Sequence, residues 1–321
     1  MEWRGRRVLV TGGAGFLGAT LCHALAACGA EVVAVDAMLP DGGAHRANLD
    51  GCAARLVVAD LRDADLAPLC EGVDAVFDLA AQTSHMGSQA DPVGDLDHNA
   101  RARLRLILAL REAAPQARVV YASTRQFYGR PQRLPVGEAH PIAPPDANGV
   151  AKYAAEQYWL LEHRVHGRHV AALRLTNCYG PRLRVRDAKQ TFLGIWIRRV
   201  LEGTAFEVWG GDQARDLAYA DDVADAFLRA ATTETCAGHA FNIGGAETTL
   251  RALADMLVVA NGGGRYEVRA FPADRARIDI GSYVADDRAF RAATGWAPSV
   301  TLAEGLRRTL DWYRPRLSAY V

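Results

Sequence analysis

Short apolar runs alternate along the first half of the chain with longer stretches whose apolar positions recur at helical spacing. The runs at residues 8–10, 32–35, 56–58, 75–79, 119–121 and 171–175 are nearly free of polar residues, as in strands covered on both faces. Between them, residues 16–28, 96–114 and 148–166 follow a helical pattern. This alternation predicts an α/β fold built on a doubly wound parallel sheet. Past Tyr179 the pattern loosens. Gly180-Pro181 opens a loop-rich stretch, and Gly210-Gly211 and Gly262-Gly263-Gly264 break the later segments. We expect a smaller C-terminal lobe closing over the carboxyl edge of the sheet. The expected division gives residues 1–180 and about 216–245 to a dinucleotide-binding domain, and about 181–215 and 246–321 to a substrate-binding lobe.

The first strand-to-helix junction is the most informative stretch. It reads Val8-Leu-Val-Thr-Gly-Gly-Ala-Gly-Phe-Leu-Gly18. Gly13, Gly15 and Gly18 fit the pattern G-x-G-x-x-G, with Gly12 opening the turn. Such glycines permit a tight turn, close approach of backbone to a pyrophosphate, and close helix–strand packing. The helix N-terminus adds free N–H groups and positive dipole. The second strand ends in Asp36, 18 residues past Gly18, near the spacing of a carboxylate that holds adenosine ribose hydroxyls. A carboxylate there repels a 2′-phosphate, and no arginine follows it immediately. NAD is therefore expected rather than NADP.

Composition narrows the partners. Lys and Arg together number 37, as do Asp and Glu, so zero net charge gives no reason to expect nucleic acid or an acidic membrane surface. No apolar run is long enough to span a bilayer, and the N-terminus lacks a signal-peptide apolar region. The six cysteines show no C-x-x-C pair and no metal spacing, which reads as reduced thiols in a cytosolic protein with no metal site. Lysine occurs only at Lys152 and Lys189 in an arginine-rich chain, so a retained lysine is a candidate for a specific task.

Several separated segments then line up in order. They are the glycine turn at 12–18, Asp60-Leu61, Leu79-Ala80-Ala81, Ala122-Ser123-Thr124 with Phe127-Tyr128-Gly129, Arg174-Leu175-Thr176-Asn177 with Tyr179-Gly180-Pro181, residues 211–216 ending Arg215-Asp216, residues 241–245, and Gly295-Trp296. Together they make the chain resemble the extended short-chain dehydrogenase/reductases, specifically the nucleotide-sugar epimerase/dehydratase group, over essentially its whole length. The resemblance implies an NAD-binding groove lined by Gly12, Gly15, Phe16, Leu17, Gly18 and Asp36, with Asp60 and Leu61 at the adenine and Ala80 and Ala81 along the cofactor. Thr124 falls where the family has a catalytic Ser or Thr. Asn177 and Arg215 would hold the substrate diphosphate, with Arg275 or Arg277 as a second clamp and Phe192 at the sugar or base pocket. The resemblance also implies a homodimer, paired through helices near 96–114 and 148–166. Leu104, Ile107, Leu108, Val150, Tyr158 and Leu161 supply apolar surface there beyond what one sheet face absorbs.

One departure stands out. The family signature is Tyr-x-x-x-Lys on a helix, the tyrosine acting as general acid/base. Here Lys152 is present but Asn148 stands four residues before it. The i,i+4 spacing keeps both on one helical face, while an amide has no pKa suited to proton transfer. Tyr153 points about 100° away from that face. Proton transfer is expected to run through Thr124, with His85 or water as relay, or through Thr124 and Lys152. Asp146 reads as a cap or loop residue. The expected activity is that of an NAD-dependent 4-epimerase of a nucleoside diphosphate sugar, by transient oxidation and hydride return. Arg125-Gln126 replaces the Asp-Glu pair of the dehydratases and counts against water elimination. Epimerisation at C2, decarboxylation of a hexuronate, and a non-catalytic nucleotide-sugar-binding protein remain alternatives.

Overall fold

The structure, a computed structural model, describes residues 2–188, 191–273 and 278–321. Its strands are β1 (Arg7–Thr11), β2 (Glu31–Asp36), β3 (Arg55–Val58), β4 (Ala75–Asp78), β5 (Arg118–Thr124), β6 (Val170–Leu175), β7 (Asn177–Tyr179), β8 (Phe206–Trp209), β9 (Ala214–Tyr219), β10 (His239–Ile243), β11 (Ala246–Thr249) and β12 (Tyr266–Arg269). Seven of them form one sheet in the order β10-β6-β5-β4-β1-β2-β3. Every pairing in it is parallel, with Val10 opposite Ala34 on one side and Phe77 on the other. This is the doubly wound sheet that the alternation predicts.

Strand residues alternate between two buried layers. Val8 and Val10 join a layer with Leu21 and Leu25 of α1 (Phe16–Ala27). Leu9 joins the opposite layer with Leu106 and Leu110, which lie beyond the short helices α2 (Ala67–Cys70), α3 (His85–Ala90) and α4 (Pro92–Leu96) on α5 (Ala102–Ala113). Helix α6 (Ala147–His166) lies on that second face and buries Trp159, while α8 (Ala220–Thr232) packs beside α1 on the first. A further core surrounds α7 (Phe192–Leu201), α9 (Leu250–Asn261) and the helix Leu302–Tyr313, with a three-stranded sheet ordered β11-β9-β7 and a two-stranded β12-β8 pair. Phe16 belongs to that core, so the first residue of α1 touches both halves of the molecule.

Three details differ from the sequence pattern. The seventh strand, β10, comes from the second half of the chain and completes the sheet beside β6. The helix expected over 96–114 is present, but it runs from α4 into α5 through a widened turn at Asp97–Arg101 with π-helical hydrogen bonding, which carries the buried Asn99. Ile107, expected to help cover a partner, is instead buried beneath α5 at 2% exposure. Its helical position turns it toward the sheet, whereas Leu108 turns outward.

Candidate functional site

The cleft opens at the carboxyl ends of β1 and β4, where the strand order reverses direction. Crevices at such switch points take ligands in doubly wound sheets. Its floor is a buried polar knot. Thr11 Oγ1 donates to Asp78 Oδ1 at 2.6 Å and accepts from the N–H groups of Leu79 and Ala80, both at 3.1 Å. Arg103 pairs with Asp78 at 3.1 Å and Trp159 Nε1 donates to it at 2.9 Å. Burial would raise the Asp78 carboxyl, but the charge of Arg103 and these hydrogen bonds outweigh it and hold it below its usual range. The knot fixes the backbone at Ala80, one wall of the cleft.

The glycine turn packs directly against that backbone and continues the lining. Gly12 has φ +65°, and a Cβ on it would lie 2.8 Å from Ala80 N. A Cβ on Gly18 would meet the Gly12 carbonyl oxygen at 2.0 Å, and one on Gly13 the Ala34 methyl at 2.6 Å. These three glycines let strand, turn and helix close on one another. Gly15 differs: it is the N-cap of α1, makes no side-chain cap, and a Cβ there has no neighbour nearer than 3.1 Å. The start of α1 therefore presents its backbone to the cleft without a side chain in the way. Gly15, Phe16, Leu17 and Gly18 all line it.

Asp36 lines the same end. Its oxygens accept from Met38 N at 3.0 Å and Ala14 N at 3.2 Å, and burial, only partly offset by these bonds, pushes its carboxyl up. Asp60 and Leu61 follow along the rim. The Asp60 carboxylate is gripped by Arg62 at 2.6 Å, and the hydrogen bond from Arg62 holds it below the usual range. Ala80 and Ala81 also line the cleft. An open helix N-terminus and a carboxylate with no adjacent arginine fit the diphosphate and free ribose hydroxyls of NAD.

At the other end the structure brings Thr124, Asn148, Lys152 and His85 together. Thr124, the last residue of β5, accepts from Gln126 N at 3.1 Å. Lys152 donates to the Ala122 carbonyl at 2.6 Å and lies over the Tyr121 ring, 4.6 Å from its centroid. Burial, reinforced by Arg103, pushes its ammonium down to about 7, against the pull of Asp78, Asp95 and Glu156. Asn148 uses its amide nitrogen within the protein, donating to the Gln82 carbonyl at 2.9 Å and to Asp95 Oδ1 at 3.1 Å. Any contact it makes with a substrate hydroxyl must therefore use its oxygen, as an acceptor.

The residues expected at the substrate diphosphate divide. Asn177 lines the cleft and its Oδ1 accepts from Arg125 Nη2 at 2.9 Å. Arg125 also lines it, stacked 5.0 Å over Tyr283. Arg125 Nη1 and Asn177 Nδ2 are both buried donors with no partner among the described residues. Arg215 does not reach the lining. It is turned onto the carbonyls of Ala214 and Gly281 and toward Asp279 at 3.3 Å, and burial, with Arg125 nearby, lowers its guanidinium to about 10. Phe192 also lies off the lining, packed 4.8 Å from Trp196, and Thr191 takes the place beside it. Arg275 and Arg277 fall outside the described residues. Sequence reasoning missed Arg125 as a donor, because it registered there only a missing acid. It also gave Asp146 no partner: Asp146 Oδ2 lies 2.8 Å from His85 Nδ1 and 3.0 Å from Gln126 Nε2. Among the described residues no cluster of three or more His, Cys, Asp or Glu could hold a metal, and no helix is long and apolar enough to cross a membrane.

The profile of the NAD dependent epimerase/dehydratase family matches residues 8–244. The UDP-glucose 4-epimerase of Mycolicibacterium smegmatis (strain ATCC 700084 / mc(2)155) is 34% identical over 316 residues, covering 96% of this chain and 98% of its own length. Two solved structures are similar over almost their full length. The UDP-glucose 4-epimerase of Thermotoga maritima with UDP-glucose has a TM-score of 0.86 at 29% identity, covering 97% of this chain and 99% of that one. The UDP-glucose 4-epimerase of Thermus thermophilus in complex with NAD has a TM-score of 0.84 at 29% identity, with the same coverage.

Proposed function

This chain belongs to the NAD-dependent epimerase/dehydratase family, and from that premise we propose that it is a nucleoside diphosphate sugar 4-epimerase. The observation that carries the reading is the continuous cleft joining an NAD-fitting glycine turn to Thr124, Asn148 and Lys152. NAD, when bound, supplies reversible removal of hydride from the sugar carbon and its return. The residues of the chain do the rest. Gly15 and the start of α1 would receive the cofactor diphosphate, and Asp36 the adenosine ribose. Lys152 would hold the nicotinamide ribose, and Thr124 would orient the hydroxyl on the carbon to be oxidised.

The unpartnered donors of Arg125 and Asn177 support an anionic group of the substrate beside Thr124. We assign them to the substrate diphosphate, in place of the inward-turned Arg215. Arg125 and Gln126 offer no acid pair for elimination, and the Gln126 amide is tied to Asp146. That favours epimerisation over dehydration. The outward Leu108 on α5 and Val150, Tyr158, Leu161 and Val165 on α6 form an apolar face across two adjacent helices, which we assign to a second copy of the chain. The six free thiols support a reducing, cytoplasmic setting. The placement of α8 and β10 on the main sheet supports giving residues 1–180 and about 216–245 to the cofactor-binding part.

The test incubates the NAD-loaded protein with UDP-glucose, UDP-N-acetylglucosamine, dTDP-glucose and UDP-glucuronate and reads products by NMR. The expected product is the C4-inverted sugar. A 4-keto-6-deoxy product, a decarboxylated sugar from a hexuronate substrate, C2 inversion, or binding without conversion would overturn the reading.

A further inference from the structure

We propose that His85, held by Asp146, is the proton carrier of this site, in the place that a tyrosine four residues before Lys152 has in the enzymes the chain resembles. This rests on the reading of the cleft as a site of sugar oxidation and return. An aspartate that only caps a helix needs one oxygen, and Asp146 Oδ1 does that, accepting from Gly149 N at 2.7 Å. Oδ2 is committed elsewhere, to His85 Nδ1 at 2.8 Å and Gln126 Nε2 at 3.0 Å. The carboxylate is wholly buried, so these partners are fixed. Burial would raise its carboxyl, but the hydrogen bonds from His85, Gly149 and Gln126 outweigh this and hold it below the usual range, as an acceptor.

A carboxylate that accepts at Nδ1 requires Nδ1 to carry hydrogen. In the neutral ring Nε2 then holds the lone pair, and in the charged ring both nitrogens carry hydrogen. Nε2 makes no hydrogen bond among the described residues, and His85 lines the cleft with its side chain 39% exposed. His85 opens α3, which packs on α6, so Asp146 sets the ring beside the same helical end that carries Asn148. The other candidates are committed. Lys152 Nζ donates to the Ala122 carbonyl, and Tyr153, the neighbouring phenol, packs 5.1 Å from the Phe127 ring in a separate core. The Thr124 hydroxyl can relay a proton but not store one at neutral pH.

In the step, the sugar O–H bond breaks and an N–H bond forms at Nε2 as the carbon gives up its hydride. The C–O bond becomes a carbonyl. On return of hydride to the opposite face, Nε2–H breaks and the hydroxyl reforms. Proton and hydride are both restored, so no further oxidant is consumed. Asp146 is a positioning residue and Gln126 fixes it.

The experiment compares the NAD-loaded parent, His85→Ala, His85→Gln and Asp146→Asn on whichever nucleotide sugar the parent converts. The expected result is a 10²–10⁴-fold loss of kcat in both His85 variants with KM within about threefold. Added imidazole should restore part of the rate in His85→Ala only. Asparagine caps a helix as well as aspartate, so Asp146→Asn should melt near the parent while kcat falls at least tenfold. A His85→Gln variant that melts like the parent and keeps kcat within threefold overturns the proposal, as does failure of imidazole rescue in a folded His85→Ala. Long-range 15N–1H spectra of the NAD-loaded protein give a readout independent of turnover. They should show the Nδ1-protonated tautomer for the neutral His85 ring. An Nε2-protonated ring overturns the proposal even if the parent converts no sugar, whereas the expected ring with an inactive parent overturns only the epimerase reading.

Discussion

Asn148 is 4% exposed, and its amide nitrogen serves the Gln82 carbonyl and Asp95 together. Replacing it by alanine removes one of two donors from each acceptor, Asn99 Nδ2 being the other. Asn148→Ala should therefore lose about 0.5–1.5 kcal/mol in urea unfolding, and a variant as stable as the parent would contradict the geometry. Asn148→Tyr should be destabilised as well, since a phenol brings a single donor in place of the two that serve Gln82 and Asp95. Lys152 gives a prediction in pH. Its folded pKa of about 7 lies below an unfolded value of about 10.4. Between those values the unfolded chain binds a proton that the folded one lacks, so stability rises with pH across that window and is flat below it. Relative to Lys152→Met, the parent should gain at most about 1.4 kcal/mol per pH unit from about 7 to 10. A difference that stays constant there would refute the shifted lysine. The sequence made Thr124, Lys152 and the substituted Asn148 legible because their spacing within one strand and one helix is local. The pairing of His85 with Asp146 spans 61 residues, and no local pattern carries it. Arg215 differs in the opposite way: its place in the family pattern is clear, but its contacts with Gly281 and Asp279, which turn it off the cleft lining, depend on distant loop residues.

The glycine turn and α1 were readable because each glycine answers to a steric limit. Those limits differ along the turn. Gly18→Ala forces a carbon into the Gly12 carbonyl and should lower Tm by several degrees. Gly15→Ser places its side chain at an open N-cap where serine is favoured. It should keep stability within about 1 kcal/mol and still weaken NAD binding by calorimetry, because the hydroxymethyl group enters the space we assign to the cofactor phosphate. Equal NAD affinity would show that the helix start is not the phosphate site. Two elements escaped the apolar pattern. In β10 the run His-Ala-Phe-Asn-Ile holds Asn242, fully buried and bonded to Tyr128 and the Val136 carbonyl, so a polar residue interrupts a strand that lies at the edge of the sheet and is nevertheless covered. The wide turn after α4 follows from Asn99, whose side chain binds Gln82 and Asp95, and a repeat of apolar positions does not record such a contact.

At the scale of the molecule, the outer face of α5 and α6 concentrates exposed apolar side chains, Leu108 at 55% and Val165 at 62% among them. A twofold pairing would bury the same patch on both copies. The parent should run as a dimer in light scattering at micromolar concentration, and Leu108→Glu with Tyr158→Glu should shift it to monomer without lowering NAD affinity. A parent that is monomeric throughout would remove the assignment. The fold class was legible from the alternation of runs, while the closing strand of the sheet was not. That closing strand has a consequence for how the chain is made. During synthesis β6 is complete at Leu175, but its open edge finds β10 only when Ile243 has followed, roughly 70 residues later. At about 5–20 residues per second, a nascent chain carries an apolar strand with one edge unpaired for several seconds, and that interval is when chaperones have most to protect.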